Sequence, residues 1–364
     1  MPERVHIIGT GLIGTSLAIA LTQHTVEVTL ADASPTTAAL AADLSGGEVA
    51  DGLAADIVVV ATPPDVTAAV VAAALARHPE ATVTDVASVK GVVRAELAAA
   101  GAPGLGRYVG GHPMAGRERS GAISARGDLF EGRPWVVAAV ADTEPDAVAL
   151  VKGMAEAVGS VVTLLDPGEH DEAVAAVSHV PQIAASLVAA RLADLPDTAV
   201  ALAGQGVRDV TRIAASDPQL WTQILAGNAP AVARVLRAIA TDLSGLITAL
   251  EALGPEPTGA VVAPGARAAL AGAIQAGNAG HARIPGKHGA APTAYAKVVV
   301  LISDRPGQLG RLFQDVADAG INLEELVLEH SLGAQFGLLE LSVLPGVEAE
   351  LRTELTRKGW RLHA

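Results

Sequence analysis

Residues 5–14 read Val5-His6-Ile7-Ile8-Gly9-Thr10-Gly11-Leu12-Ile13-Gly14. Val5 to Ile8 is a short, largely apolar run of the kind that forms a buried parallel strand. Three glycines follow at once. Gly9 permits a tight turn, Gly11 lets backbone approach a pyrophosphate, and Gly14 lets a helix pack closely on the strand. A helical pattern runs from Leu17 to Leu21, a second strand from Val26 to Leu30, and Asp32 closes that strand. Strand, glycines, helix, strand and acid in this order make a dinucleotide-binding βαβ unit. The start of its helix offers unpaired N–H groups and the positive end of a dipole to phosphates.

Asp32 decides between cofactors. A carboxylate here accepts hydrogen bonds from both ribose hydroxyls, and it repels a 2′-phosphate. For unit charges about 5 Å apart at an effective dielectric near 20, each charge pair costs roughly 3 kcal/mol. No Arg or Lys follows at once, since the chain continues Ala33-Ser34-Pro35. NAD is therefore expected, held by Gly9, Gly11, Leu12, Ile13, Gly14, Asp32 and Thr62.

The alternation continues outward. Asp56 to Ala61 reads as a strand ending in Thr62-Pro63-Pro64, and Thr82 to Val86 as one ending in Ala87-Ser88-Val89-Lys90-Gly91. Tyr108 to Gly111 is another and ends at His112. Polar groups at the carboxyl ends of such strands line the ligand crevice of an open α/β sheet. The fold class is α/β, with an N-terminal Rossmann-type domain over residues 1–166.

From Glu169 to Leu253 the pattern turns helical. Asp171 to Leu192 is one long amphipathic run, broken near Pro181, and Thr198 to Ala215 is another. Asp217-Pro218 opens a third helix to Asn228, and Ala229 to Leu253 forms the next. This predicts an all-helical domain over 167–253. Alanine-rich helices with apolar faces on more than one side suit packing against a second subunit, and a monomeric helical cap is the plainer alternative.

Residues 254–294 change in character. Pro255, Pro257, Pro264 and many glycines suggest a linker with one short helix, Ala266 to Ala276. The basic stretch Arg283-Ile284-Pro285-Gly286-Lys287-His288-Gly289 reads as an anion contact or as a solvated turn. Over 295–364 come a strand (Lys297 to Ile302), a helix ending near Gly320, and two strands (Ile321 to Glu329, Gly337 to Val343). A helix from Val347 to Lys358 and a strand from Trp360 to His363 complete a βαββαβ order, the ferredoxin-like pattern.

Composition narrows the function. The chain has 364 residues, half of them hydrophobic and only 2% aromatic, so its core is built from Ala, Val and Leu. A formal net charge of −14 disfavours nucleic acid and anionic membrane surfaces as partners. There is no cysteine, which removes disulfides, zinc thiolates and thiol nucleophiles. No signal peptide is legible, and no apolar stretch of roughly 18 residues is free of charged or turn residues. A cytoplasmic enzyme fits these features.

Several segments together resemble the prephenate and arogenate dehydrogenase family. They are Gly9 to Gly14, Asp85-Val86-Ala87-Ser88-Val89-Lys90, and Gly111-His112-Pro113-Met114-Ala115-Gly116-Arg117-Glu118-Arg119-Ser120-Gly121. Ser178-His179-Val180-Pro181-Gln182 and Arg208-Asp209-Val210-Thr211-Arg212-Ile213-Ala214, running on to Asp217-Pro218-Gln219-Leu220-Trp221, agree. The resemblance spans residues 1 to about 252, and its His-Pro-Met-Ala-Gly segment is the most specific part.

The resemblance implies NAD-dependent oxidative decarboxylation of prephenate to 4-hydroxyphenylpyruvate in tyrosine biosynthesis, or of arogenate to tyrosine. A base should sit on the ring hydroxyl as hydride leaves, and a neutral imidazole suits that task. His112 is the candidate base, with Ser88 expected to orient its ring and His179 to position substrate. Arg212 matches the family's substrate-carboxylate arginine, a planar bidentate donor. Glu118 and Arg208 match positions at the mouth of the site, and Trp221 reads as packing. The family's helical region implies a homodimer. The turn Asp304-Arg305-Pro306-Gly307-Gln308-Leu309-Gly310 resembles that of an ACT domain. An aromatic amino acid is then the expected effector, near Asp304, Gly307, Leu309 and Gly310.

Two other readings compete. A hydroxy-acid dehydrogenase of the same plan usually carries a lysine on its first interdomain helix, where this chain has His179. A non-enzymatic sensor of NAD and an amino acid would not need His112, Ser88 and Arg212 to converge.

Overall fold

The computed structural model describes residues 1–116, 121–254, 265–285, 295–330 and 336–363. They form two compact units, Met1–Leu195 with Val210–Ile239, and Pro196–Asp209 with Ala240–Ala364.

The first unit is built on an eight-stranded sheet. Its strands are β1 (Arg4–Ile8), β2 (Glu27–Ala31), β3 (Glu48–Val49), β4 (Ile57–Val60), β5 (Thr82–Asp85), β6 (Tyr108–Pro113), β7 (Pro134–Ala138) and β8 (Val161–Leu165). They lie in the order β3-β2-β1-β4-β5-β6-β7-β8. The first six are parallel, β7 turns antiparallel to β6, and β8 follows β7 in parallel. The order reverses between β1 and β4, which is where a doubly wound sheet opens its ligand crevice.

Helices α1 (Leu12–Gln23), α2 (Pro35–Ser45), α3 (Pro64–Arg77), α4 (Gly91–Ala99) and α5 (Pro145–Ala157) connect the strands. The apolar run of β4 shows why both faces need covering. Ile57 and Val59 join the core with Leu17 and Leu21 of α1 and Val151 of α5. Val58 and Val60 point the other way, to Val71 and Leu75 of α3 and Val93 of α4. All four residues are fully buried, as the two-residue period of a strand between helical layers requires. The β7–β8 pair was not foreseen from the sequence.

Helix α6 (Pro167–Val174) starts directly after β8. Its first turn is fixed by a capping box: Asp166 Oδ1 accepts from the Gly168 N–H at 2.7 Å, and Glu169 Oε2 accepts from the Asp166 N–H at 3.2 Å. A wide π turn, Ala175–His179, joins α6 to α7 (Val180–Leu192). The sequence reading put an interruption near Pro181; the irregularity lies just before it and widens the helix without breaking it. Pro181 follows the wide turn directly, and its missing N–H leaves a gap in the hydrogen-bond ladder there.

The run Pro167–Leu192 has a mean hydropathy of 1.5 and is long enough to cross a bilayer, a feature passed over in reading the sequence. A third of its most apolar window is buried, and it carries the buried His170 and His179 and the hydrogen-bonded Asp171.

The predicted helix from Thr198 to Ala215 is instead three short pieces: α8 (Asp197–Val200), α9 (Gln205–Thr211) and a 3₁₀ turn, Arg212–Ala214. Gly204 falls in the gap between the first two, and glycine disfavours a continuous helix. Helix α10 (Pro218–Gly227) begins at Asp217, whose Oδ1 accepts from the Gln219 N–H at 2.8 Å. Helix α11 (Ala229–Glu251) follows.

In the second unit, α12 (Ala266–His281) runs five residues beyond the predicted Ala276. Strand β9 (Ala296–Ser303), α13 (Gln308–Asp318), β10 (Glu325–His330), β11 (Phe336–Val343), α14 (Glu348–Arg357) and β12 (Arg361–Leu362) keep the βαββαβ order. The four strands form an antiparallel sheet in the order β10-β11-β9-β12. Its buried face packs Val298, Val300, Leu339 and Leu341 against Leu312, Val316, Leu351 and Leu355.

Candidate active site

The glycine loop takes the form its sequence demands. Gly9 has φ +102°, and a Cβ there would stand 2.4 Å from the Ala61 carbonyl oxygen. A Cβ on Gly14 would stand 2.0 Å from the Gly9 carbonyl oxygen. Gly11 differs: a Cβ there meets nothing within 4 Å. It caps α1 with no side-chain hydrogen bond, so the open space lies against unpaired N–H groups. Asp32 follows β2, its Oδ2 accepting from the Thr10 N–H at 2.7 Å and the Thr10 hydroxyl at 2.9 Å. Its Oδ1 accepts from the Ser34 N–H at 2.8 Å. A bare-walled cradle at a helix start, beside a carboxylate anchored by its own loop, fits a dinucleotide. Leu12 and Ile13 open α1 half-buried, and Thr62, also half-buried, places its hydroxyl 3.2 Å from that of Thr67.

Beside the sheet's carboxyl edge, polar groups from four elements meet in one buried cluster. His112, near the end of β6, places Nδ1 2.8 Å from Nε2 of His170 on α6. His170 places Nδ1 2.8 Å from Oδ1 of Asp171. Asp171 also accepts the backbone N–H groups of Lys90 (2.9 Å) and Gly91 (2.8 Å), so its carboxylate caps α4. Three such donors outweigh burial and hold the Asp171 carboxyl below its ordinary value. The Asn228 side-chain amide donates to the Asp171 carbonyl at 2.7 Å and lies 3.2 Å from His179 Nδ1. His179 is thereby left with its hydrogen on Nε2, as a donor. Trp221 meets His179 edge-to-face, with ring centroids 6.2 Å apart.

A second network underlies the first. Lys90 is fully buried and pairs with Asp85 Oδ1, and its Nζ also donates to the Gly111 carbonyl at 2.7 Å. Tyr108 donates its hydroxyl to Asp85 Oδ2 at 2.7 Å. The lysine stem crosses β6 at Gly110, where a Cβ would sit 2.9 Å from Lys90 Cδ. Burial draws the Lys90 pKa down, and Asp85 works against it. The Asp85–Lys90 pair thus ties the end of β5 to the strand that carries His112.

Burial, followed by the neighbouring His170, Lys90 and His179, holds the His112 pKa well below the ordinary imidazole value. Burial likewise pushes His179 down to about 4, and His6 in β1 to about 4. These imidazoles are neutral at pH 7. In the unfolded chain each takes a proton near pH 6.5. The unfolded state therefore binds more protons between about pH 6.5 and 4, and stability falls as pH drops through that window. Urea unfolding should show a lower midpoint at pH 5 than at pH 7. The His6→Gln variant should show a smaller drop; an equal drop would refute the assignment to His6.

The structure thus brings His112 and His179 into one cluster. Ser88 lies half-buried in the loop after β5, and among the described residues the ring partner of His112 is His170. Arg212 is exposed in the 3₁₀ turn after α9, and among the described residues it pairs with no carboxylate. Arg208 is exposed on α9. Glu118 and residues 286–289 of the basic stretch lie outside the described residues. His170, Asp171, Lys90, Asp85 and Asn228 had been given no role from sequence. The available signal was the Asp166-to-Glu169 capping box, which sets the phase of α6 and turns the next two residues inward.

This is the architecture of a dinucleotide-linked enzyme, with a cluster of buried imidazoles beside its crevice. Comparison with known proteins narrows the class. The profile of the prephenate dehydrogenase nucleotide-binding domain matches residues 17–164. That of the prephenate dehydrogenase dimerization domain matches residues 166–256. A probable prephenate dehydrogenase of Streptomyces niveus, NovF, is 37% identical over 97% of this chain and 98% of its own length. The structure of A. aeolicus prephenate dehydrogenase with hydroxyphenyl propionate and NAD+ superposes with a TM-score of 0.66. It is 28% identical over 78% of this chain and 98% of that one. Synechocystis arogenate dehydrogenase gives 0.62, at 28% identity over 76% and 99%. The chain belongs to the prephenate dehydrogenase family.

Proposed function

We propose that this protein catalyses the NAD-dependent oxidative decarboxylation of prephenate to 4-hydroxyphenylpyruvate. The observation that carries this is the neutral, buried His112 at the carboxyl edge of a sheet whose first turn is a dinucleotide cradle. Gly9, Gly11, Gly14 and Asp32 would hold the dinucleotide, which would supply the acceptor for a hydride from the ring carbon bearing the hydroxyl. His112 takes the hydroxyl proton: the O–H bond breaks, an N–H bond forms, and the oxygen keeps its electron pair to become the carbonyl. The bond to the ring carboxylate then breaks, its electron pair passes through the ring to the carbonyl oxygen, carbon dioxide leaves, and the oxygen regains a proton as the phenol of the aromatic ring. His179 donates from Nε2 to bound substrate, and Arg212, which pairs with no carboxylate among the described residues, supplies the bidentate grip on a substrate carboxylate. Ser88 and Thr62 border the crevice.

Arogenate is the second substrate reading. It is favoured by the likeness to the Synechocystis arogenate dehydrogenase and to a cyclohexadienyl dehydrogenase of Zymomonas mobilis, 31% identical over 68% of this chain. Following NADH formation with each substrate at equal concentration decides between them. No NADH from either would remove the functional reading.

The chain divides, in this reading, into a dinucleotide domain (1–166), a helical substrate and dimerisation domain (167–253), a linker (254–294) and an effector domain (295–364). Leu243, Ile247 and Leu250 of α11 are exposed at helical spacing, an apolar stripe suited to a second subunit. The βαββαβ unit is a ferredoxin-like, ACT-type module. Gly307, with φ +86°, caps α13 without a side-chain hydrogen bond, and Asp304, Leu309 and Gly310 are exposed around the same helix start. Calorimetry should detect tyrosine or phenylalanine binding, and Gly307→Val should abolish it; no heat with either amino acid would refute the effector role.

A further inference from the structure

We propose that His170 and Asp171 are positioning residues that lock His112 in the tautomer with its hydrogen on Nδ1, so that Nε2 is the nitrogen that receives the substrate proton. The proposal rests on the reading of His112 as the base. Its argument is a count of hydrogens along one chain of contacts. An ionised carboxylate only accepts, and a neutral imidazole carries one N–H and one lone pair.

Asp171 receives the backbone N–H of Lys90 at its Oδ1 and that of Gly91 at its Oδ2. A hydroxyl hydrogen on either oxygen would face those donors, so the group is a carboxylate. His170 Nδ1, 2.8 Å from Oδ1, must then carry the hydrogen. The proposal takes His170 as neutral, and its lone pair then lies on Nε2. That atom is 2.8 Å from His112 Nδ1, which must be the donor. The hydrogen of a neutral His112 is thus used inward, and Nε2 is bare. No hydrogen bond within the described residues falls on it.

Free imidazole side chains prefer the opposite tautomer, with hydrogen on Nε2. Left alone, His112 would present a donor to the substrate hydroxyl and could take no proton from it. The other charged or titratable groups facing it are Lys90, from the loop before α4, and His179, from the π turn. Neither reaches Nδ1: Lys90 is held by Asp85 and the Gly111 carbonyl, and His179 by Asn228. Setting the tautomer therefore falls to His170. The chain also steadies the product of proton transfer, because an imidazolium at 112 still donates to His170, which leans on a fixed negative charge.

The test uses the full-length protein with ¹⁵N-labelled histidine. Ring nitrogen shifts should show wild-type His112 protonated at Nδ1, and His170→Phe should move the hydrogen to Nε2. In steady-state assays His170→Phe should lower kcat by about 100-fold or more, with KM and NAD affinity within about threefold. The acid limb of its kcat profile should move to lower pH, since an imidazole without an acceptor on Nδ1 is a weaker base. His170→Gln, whose amide oxygen can accept from Nδ1, should recover the tautomer and about tenfold in kcat over the Phe variant. Wild-type His112 protonated at Nε2, or a Phe variant with unchanged kcat and pH profile, would overturn the proposal. If the Phe variant fails to fold, the wild-type spectrum alone decides. A wild-type protein inactive on prephenate and arogenate would remove the functional reading, and the spectrum would still settle the tautomer.

Discussion

Replacing His112 by Asn is expected to cut turnover by about 10³-fold or more while leaving NAD affinity nearly unchanged. The side chain sits on β6 and none of its hydrogen bonds reaches the glycine loop. Asparagine can still donate to His170 Nε2, so the buried chain stays satisfied and the fold should survive. What disappears is the lone pair that accepts the hydroxyl proton, and asparagine offers no basic nitrogen in its place. The wild-type kcat profile should fall on its acid side, because protonated His112 cannot act as base. In the variant that limb should vanish. Unchanged turnover would show that another group removes the proton.

The second large effect concerns a pair of glycines that behave oppositely. Gly14→Ala puts a methyl group 2.0 Å from a backbone oxygen, so the loop or α1 must shift. A destabilisation of about 1–3 kcal/mol and a loss of NAD affinity of about 100-fold should appear together. Gly11→Ala, with nothing within 4 Å of the new atom, should leave the melting temperature within a degree or two of wild type. Its methyl projects into the space assigned to the pyrophosphate, so NAD affinity should still fall by about tenfold or more. Thermal melts beside fluorescence titration with NAD make the comparison. A Gly11→Ala protein that binds NAD as tightly as wild type would place the phosphates elsewhere.

How much of this was readable from the chain differs by element. The βαβ unit was, because the physics is local: a buried strand, a turn only glycine permits and an acid at a strand end lie within 32 residues. Strands β7 and β8 were not, since β7 is set by a partner that reverses direction after a long connection from β6, and no local pattern announces that. Helix boundaries at Thr198 and Ala215 failed because apolar spacing outlasts the backbone's tolerance for Gly204.

Within the site, His112 and His179 stood out through motifs. Asp171 did not, because its significance lies in capping a helix whose first residue, Gly91, is 80 positions away. Lys90 is of a residue type that is seldom buried, and the strand glycine at 110 makes room for its stem.

The wide turn at Ala175–His179 has a geometric consequence. In a regular helix each residue advances the azimuth by about 100°, so the eight steps from Asp171 to His179 would leave the two side chains about 80° apart. A turn that accommodates one surplus residue takes back roughly 100°, returning them to within about 20° of a common direction. Excising one residue from that turn, such as the solvent-facing Val177, would rewind the rod to ordinary pitch. His179 would then stand seven regular steps, about 700°, from Asp171, so it would keep its direction toward Asn228 to within about 20°, and α7 would keep its azimuth with it.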